Sequence, residues 1–184
     1  MCLILLAWQA HPDYPLVVAA NRDEFFSRPT APADFWPEAP DVLAGRDIEA
    51  GGTWLGITRQ QRFAALTNYR DGQKARPGTP SRGALVANFL QGYLDPVDYL
   101  DQASVQASRH NGFNLLVGDA QQLWHFNSQE GQPRQLESGI YGLSNASLDT
   151  PWPKLLRARQ GLQQALHDAD DERLFALLAD PQPA

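Results

Sequence analysis

The sequence predicts an α+β domain built on antiparallel sheets. Short apolar runs of strand length are separated by turn formers, and the amphipathic helical stretches are grouped instead of alternating with the strands. At 184 residues the chain is long enough for one domain with a substantial core, so a single domain over residues 1–184 is expected.

In chain order, residues 2–8 and 16–21 are apolar runs flanking Gln-Ala-His-Pro-Asp-Tyr-Pro and read as a β-hairpin. If Trp8 pairs with Pro15, the register carries Cys2 opposite Asn21, with Arg22 and Asp23 at the same end. The proline-rich stretch Ser27 to Asp41 reads as a long loop, and Phe25, Phe26, Phe35 and Trp36 either line an apolar cleft or anchor that loop. Gly51 to Thr58 and Arg62 to Asn68 form a second hairpin, and its two leading glycines allow a turn or a close backbone approach. Ser81 caps a helix running to about Leu94, with Leu85, Val86, Phe89, Leu90 and Tyr93 on one face. A second helix follows Pro96 and ends before Asn111-Gly112. Strands resume at Phe113–Gly118, Leu123–Asn127, Arg134–Ser138 and Ile140–Ser144. Thr150 and Pro151 open an amphipathic helix carrying Leu155, Leu156, Arg159, Leu162 and Leu166, and Glu172 to Leu178 is a short last helix.

The sole cysteine, Cys2, occupies the second position. Removal of Met1 would leave a thiol and a free α-amine on one residue, a nucleophile with its own base. An unperturbed thiol has a pKa of about 8.5 and an α-amine about 7.7 to 8.0, so the amine can take the thiol proton. Arg22 would favour the thiolate or a substrate carboxylate, and Asp23 would orient the ammonium or the arginine. Asn145 closes a strand and is an amide donor suited to an oxyanion, or else a turn residue. Asn68, Arg70 and Asp71 repeat at the exit of the second hairpin the amide, guanidinium and carboxylate of Asn21, Arg22 and Asp23. Both clusters are candidates for the rim of one site, with Asn21, Asn68 and Arg70 as substrate-binding residues.

Cys2 with Asn21-Arg22-Asp23-Glu24 resembles the NRDE family, the family of transport and Golgi organisation 2-like proteins. Gly51-Gly52-Thr53-Trp54-Leu55-Gly56, Leu66-Thr67-Asn68-Tyr69-Arg70, Ser81-Arg82-Gly83, Phe113-Asn114-Leu115, Gly142-Leu143-Ser144-Asn145 and Pro151-Trp152-Pro153-Lys154 follow in family order, to about residue 155. The resemblance implies an N-terminal-nucleophile hydrolase-like αββα fold, two antiparallel sheets between helical layers. It also implies two roles: hydrolysis of a non-peptide amide-type bond, or haem binding and trafficking through the same pocket without catalysis. Family members generally continue with further strands, so the chain is expected to lack them.

A net charge of -6 disfavours attraction to nucleic acid. No secretory leader or membrane span is evident, and one cysteine forms no internal disulfide, which together suggest a cytoplasmic protein. Neither a phosphate-binding loop nor metal-ligand spacing among His11, His110, His125 and His167 is present, so no metal or cofactor is expected and the partner is a small molecule.

Overall fold

The computed structural model describes residues 2–25, 27–70, 72, 75–168 and 171–179. In chain order its elements are β1 (Leu3–Trp8), β2 (Leu16–Asn21), β3 (Thr30–Trp36), β4 (Ala39–Asp47), β5 (Leu55–Thr58), β6 (Phe63–Asn68), α1 (Gly83–Gln91), α2 (Pro96–Gln106), β7 (Phe113–Gly118), β8 (Leu123–Asn127), β9 (Arg134–Gln135), β10 (Gly139–Leu143), α3 (Pro153–Asp168) and α4 (Asp171–Leu178). The chain packs as two compact units, residues 1–23 with 136–184, and residues 24–135. The fold is α+β with two antiparallel sheets, as the strand and helix pattern predicts.

The first unit holds a three-stranded sheet in the order β10-β1-β2. β1 is its centre and is buried throughout, which suits an uninterrupted Leu-Ile-Leu-Leu-Ala-Trp run. Its odd positions Leu3, Leu5 and Ala7 pack with Leu155, Ala158 and Leu162 of α3, because successive strand side chains point to opposite faces. By the same alternation Cys2, Ile4, Leu6 and Trp8 belong to the other face. The buried positions of α3 are Leu155, Ala158, Leu162 and Ala165, whereas Leu156 is largely exposed. This helix begins at Pro153, later than expected. The Thr150 hydroxyl donates to the Ser147 carbonyl at 2.7 Å and closes a turn there.

The second unit is a seven-stranded sheet in the order β3-β4-β5-β6-β7-β8-β9. Ala64, Leu66, Phe113, Leu115, Val117 and Phe126 line one face and pack with Val86, Phe89 and Leu90 of α1 and Leu100 of α2. The long loop expected over Ser27 to Asp41 is instead the β3–β4 hairpin. Pro32 is compatible with a strand here because β3 is a sheet edge and its register shifts between Ala31 and Asp34, which relieves the missing N–H. Trp36 belongs to this unit's core, its indole N–H donating to the Ala44 carbonyl at 3.1 Å. Phe25 and Phe35 are exposed, with the Arg59 guanidinium 4.0 Å over the Phe35 ring, and Phe26 lies outside the described residues.

α1 ends at Gln91, three residues before the expected Leu94, so Tyr93 falls beyond it and is exposed instead of sharing the apolar face. Gly52 supplies the close approach expected of its glycine pair: a Cβ there would lie 2.5 Å from the Gly83 carbonyl carbon. Thr53 N–H donates to the Gly83 carbonyl at 3.3 Å, joining this turn to the start of α1. The strand expected from Gly51 therefore starts only at Leu55.

Candidate functional site

Two registers converge on the N-terminal end of β1. β2 pairs Leu3 with Asn21 and Trp8 with Leu16, one residue away from the expected Trp8 to Pro15. The turn continues the same register, with Gln9 at φ 47 and its N–H donating to the Pro15 carbonyl at 2.7 Å. The expected Cys2 to Asn21 opposition is corrected accordingly: Asn21 faces Leu3, and continuing the register sets Arg22 beside Cys2. On the other side β10 pairs Ile4 with Leu143, and the same continuation sets Asn145 beside Cys2.

Asn21 therefore shares the face of Leu3 that looks toward the helices. Its side-chain amide donates to the Leu178 carbonyl at the end of α4, at 3.3 Å. Cys2 is half-buried, its sulfur 3.8 Å from the Asp23 carbonyl. The Ser144 hydroxyl donates to the Cys2 carbonyl at 2.6 Å. Ser144 and Asn145 are both buried, 3% and 2% exposed.

Beyond them the chain returns to β10. Asp149 takes φ 57, its N–H donates to the Gly142 carbonyl at 2.9 Å, and its Oδ1 accepts from the Gly142 N–H at 2.8 Å. Arg159 of α3 reaches the same Oδ1 at 3.1 Å and donates to the Ile140 carbonyl at 2.8 Å. Ser144, Asp149 and Arg159 were not distinguished by sequence reasoning. The signal available was weak: an aspartate after a strand, followed by Thr150-Pro151, marks a turn.

Cys2, Arg22, Asp23 and Asn145 thus gather at one end of the three-stranded sheet. Asn68 and Arg70 stand in the second unit, Asn68 opposite Phe113 at the end of β6 and Arg70 just past it, both exposed. Asp71 and Met1 lie outside the described residues. His11 sits in the β1–β2 turn, at the far end of β1 from Cys2. His110 and His125 belong to the second unit, with ring nitrogens 3.2 Å from the Pro80 carbonyl and from Asn114 Oδ1.

His125 lies beside Asn114, whose amide donates onward to the Thr67 hydroxyl at 3.2 Å. Burial pushes the His125 pKa down to about 4, so the ring is neutral near pH 7. A neutral ring with its Nε2 donating to Asn114 satisfies this row of buried polar groups. Arg82 of the Ser-Arg-Gly motif donates to the Gly112 carbonyl at 3.0 Å, and burial lowers its pKa. Among the described residues no three His, Cys, Asp or Glu side chains form a group suited to a metal ion, and no helix is long and apolar enough to cross a membrane.

A family model described as Transport and Golgi organisation 2 matches residues 1–183. The mouse Transport and Golgi organization 2 homolog is 39% identical over 183 residues, covering 92% of this chain and 66% of its own length. The human homolog is 41% identical over 182 residues, covering 90% and 64%. The chain thus spans about two thirds of the length of these relatives. Among solved structures, the Caenorhabditis elegans N-acylethanolamine-hydrolyzing acid amidase ortholog superposes with a TM-score of 0.67 at 10% identity, over 98% of this chain and 86% of that one. That likeness shows the fold, which is that of an N-terminal-nucleophile hydrolase.

Proposed function

Because the chain belongs to the Transport and Golgi organisation 2 family and shares the fold of an N-terminal-nucleophile hydrolase, we propose that it hydrolyses a non-peptide amide bond with Cys2 as nucleophile. The observation that carries this reading is the convergence on Cys2 of Arg22 and Asp23 from one strand and Ser144 and Asn145 from another. After removal of Met1, the Cys2 α-amine takes the thiol proton and the thiolate attacks the amide carbonyl. Negative charge then develops on the substrate oxygen, where the Asn145 amide donates. Collapse breaks the C–N bond, the ammonium returns its proton to the leaving amine, and a thioester remains on Cys2. Water, deprotonated by the same amine, releases the acid. Asp23 orients the ammonium and Arg22 favours the thiolate or a substrate carboxylate. Asn21 supports the site from behind by holding α4.

The acid amidase that shares the fold is named for N-acylethanolamines, so simple N-acyl amides of that kind are the first substrates to try. The test incubates protein of verified N-terminus with an N-acyl amide panel and measures free acid, with Cys2→Ala as control. Turnover that disappears in Cys2→Ala supports the proposal. Turnover that survives Cys2→Ala sinks it. Haem binding of equal affinity in both proteins, with no turnover, supports the carrier role that the family resemblance implies. Alanine variants of Asn68 and Arg70 test the exit of β6 for substrate contacts, which a raised KM with kcat retained would assign.

A further inference from the structure

We infer that Asp149 and Arg159 are positioning residues for the Cys2 end of the sheet, acting through the loop of residues 144–149. The inference rests on the proposal that Cys2 is the working thiol.

Both ends of this loop are anchored on β10. It leaves the strand after Leu143 and returns where Asp149 makes two hydrogen bonds to Gly142, one from its N–H and one to its carboxylate. Arg159 then bridges that carboxylate to the Ile140 carbonyl, so one guanidinium joins α3, the loop's last residue and the strand. Gly142 has no spare room on this side, since a Cβ would lie 2.8 Å from Leu155 Cγ and 3.2 Å from Arg159 Cγ. The groups held between the anchors are Ser144, bonded to the Cys2 carbonyl, and Asn145. A partly exposed ion pair contributes little to overall stability. Its contacts here run to the strand and loop that meet Cys2, which makes a local geometric role the larger one.

Four variants test it. Asp149→Gly keeps the left-handed backbone unstrained and removes both side-chain interactions. Asp149→Asn tolerates the same backbone and retains an acceptor for Gly142. Arg159→Met keeps the apolar stem and loses the fork. Leu162→Ala, a fully buried α3 position, serves as a merely destabilising control. The readouts are Cys2 alkylation by iodoacetamide as a function of pH, and amide hydrogen exchange over residues 142–149.

Asp149→Gly and Arg159→Met are expected to slow alkylation at pH 7 by about tenfold, part of the ~100-fold that a misplacement of about an ångström can cost. Their pH midpoint moves up toward a free thiol's value of about 8.5, and loop exchange accelerates. Asp149→Asn recovers most of the wild-type profile, and Leu162→Ala leaves the midpoint in place. The inference is overturned if both disruptive variants keep the wild-type pH profile, or if Leu162→Ala moves it as far as they do. A wild-type thiol that itself titrates like free cysteine marks failure of the Cys2 proposal instead. Loop exchange then decides the pair, and unchanged protection in Asp149→Gly overturns it.

Discussion

The Ser144 hydroxyl donates to the main-chain carbonyl of Cys2 at 2.6 Å, tying the end of β10 back to the residue that precedes β1. The serine of the Gly-Leu-Ser-Asn motif therefore fixes the carbonyl side of Cys2 and leaves the thiol to the Asp23 side.

Ser144→Ala removes that donor and leaves the rest of the strand intact. A typical hydrogen bond contributes about 0.5 to 1.5 kcal/mol net, so a loss of about 1 kcal/mol in urea unfolding is expected, with slower Cys2 alkylation. Alkylation and stability both at wild-type values would show that the bond positions nothing.

His125 gives a pH prediction with a definite sign. Its folded pKa, about 4, lies below the unfolded value of about 6.5, so the unfolded chain binds its proton first. The stabilising contribution is complete above pH 6.5 and is lost as pH falls toward 4. Its size is on the order of 3 kcal/mol from the shift. Urea midpoints measured at pH 7, 5.5 and 4.5 should fall, and His125→Gln should flatten part of that fall. An equal slope in the variant would assign the acid sensitivity to other groups.

The two neighbouring glycines of the Gly-Gly-Thr-Trp stretch should separate. Gly51 has φ 76 and open space around it, so Gly51→Ala costs about 1 to 2 kcal/mol of left-handed strain. At Gly52 the obstruction is the Gly83 main chain at 2.5 Å, which no rotamer change relieves. Gly52→Ala should cost about 3 kcal/mol, the upper end of what overpacking typically costs, and lower expression. Thermal melts of the two variants compare them directly, and a Gly51→Ala melt at or below that of Gly52→Ala would contradict the ranking.

Much of this architecture was legible in the sequence, and for identifiable reasons. β7 and β8 match their expected bounds because both are short, mostly apolar runs bounded by turn residues, with Asn114, His125 and Asn127 as their polar members. The β1–β2 hairpin was equally clear, but its register was off by one residue, because periodicity alone does not specify the geometry of the turn. β3 was hidden by Pro32 and by Pro29 and Pro37 beside it, since the rule that excludes proline from central strands says nothing against a bulged edge. Of the candidate site residues, Cys2, Arg22, Asp23 and Asn145 were singled out by chemistry and position, and the structure gathers them at one end of the three-stranded sheet. Asp149 and Arg159 did not, because their role arises from bonds to main-chain atoms of β10, and such bonds depend on the fold rather than on residue spacing.

The central claim is that Cys2 carries an activated thiol beside its own free amine. Intact mass of the purified protein, before and after brief treatment with a limiting thiol electrophile at several pH values, tests it most directly. The account predicts loss of Met1 and rapid modification of Cys2 well below the free-thiol pKa of about 8.5. Retained Met1, or a thiol that reacts slowly and titrates as a free cysteine does, would contradict it.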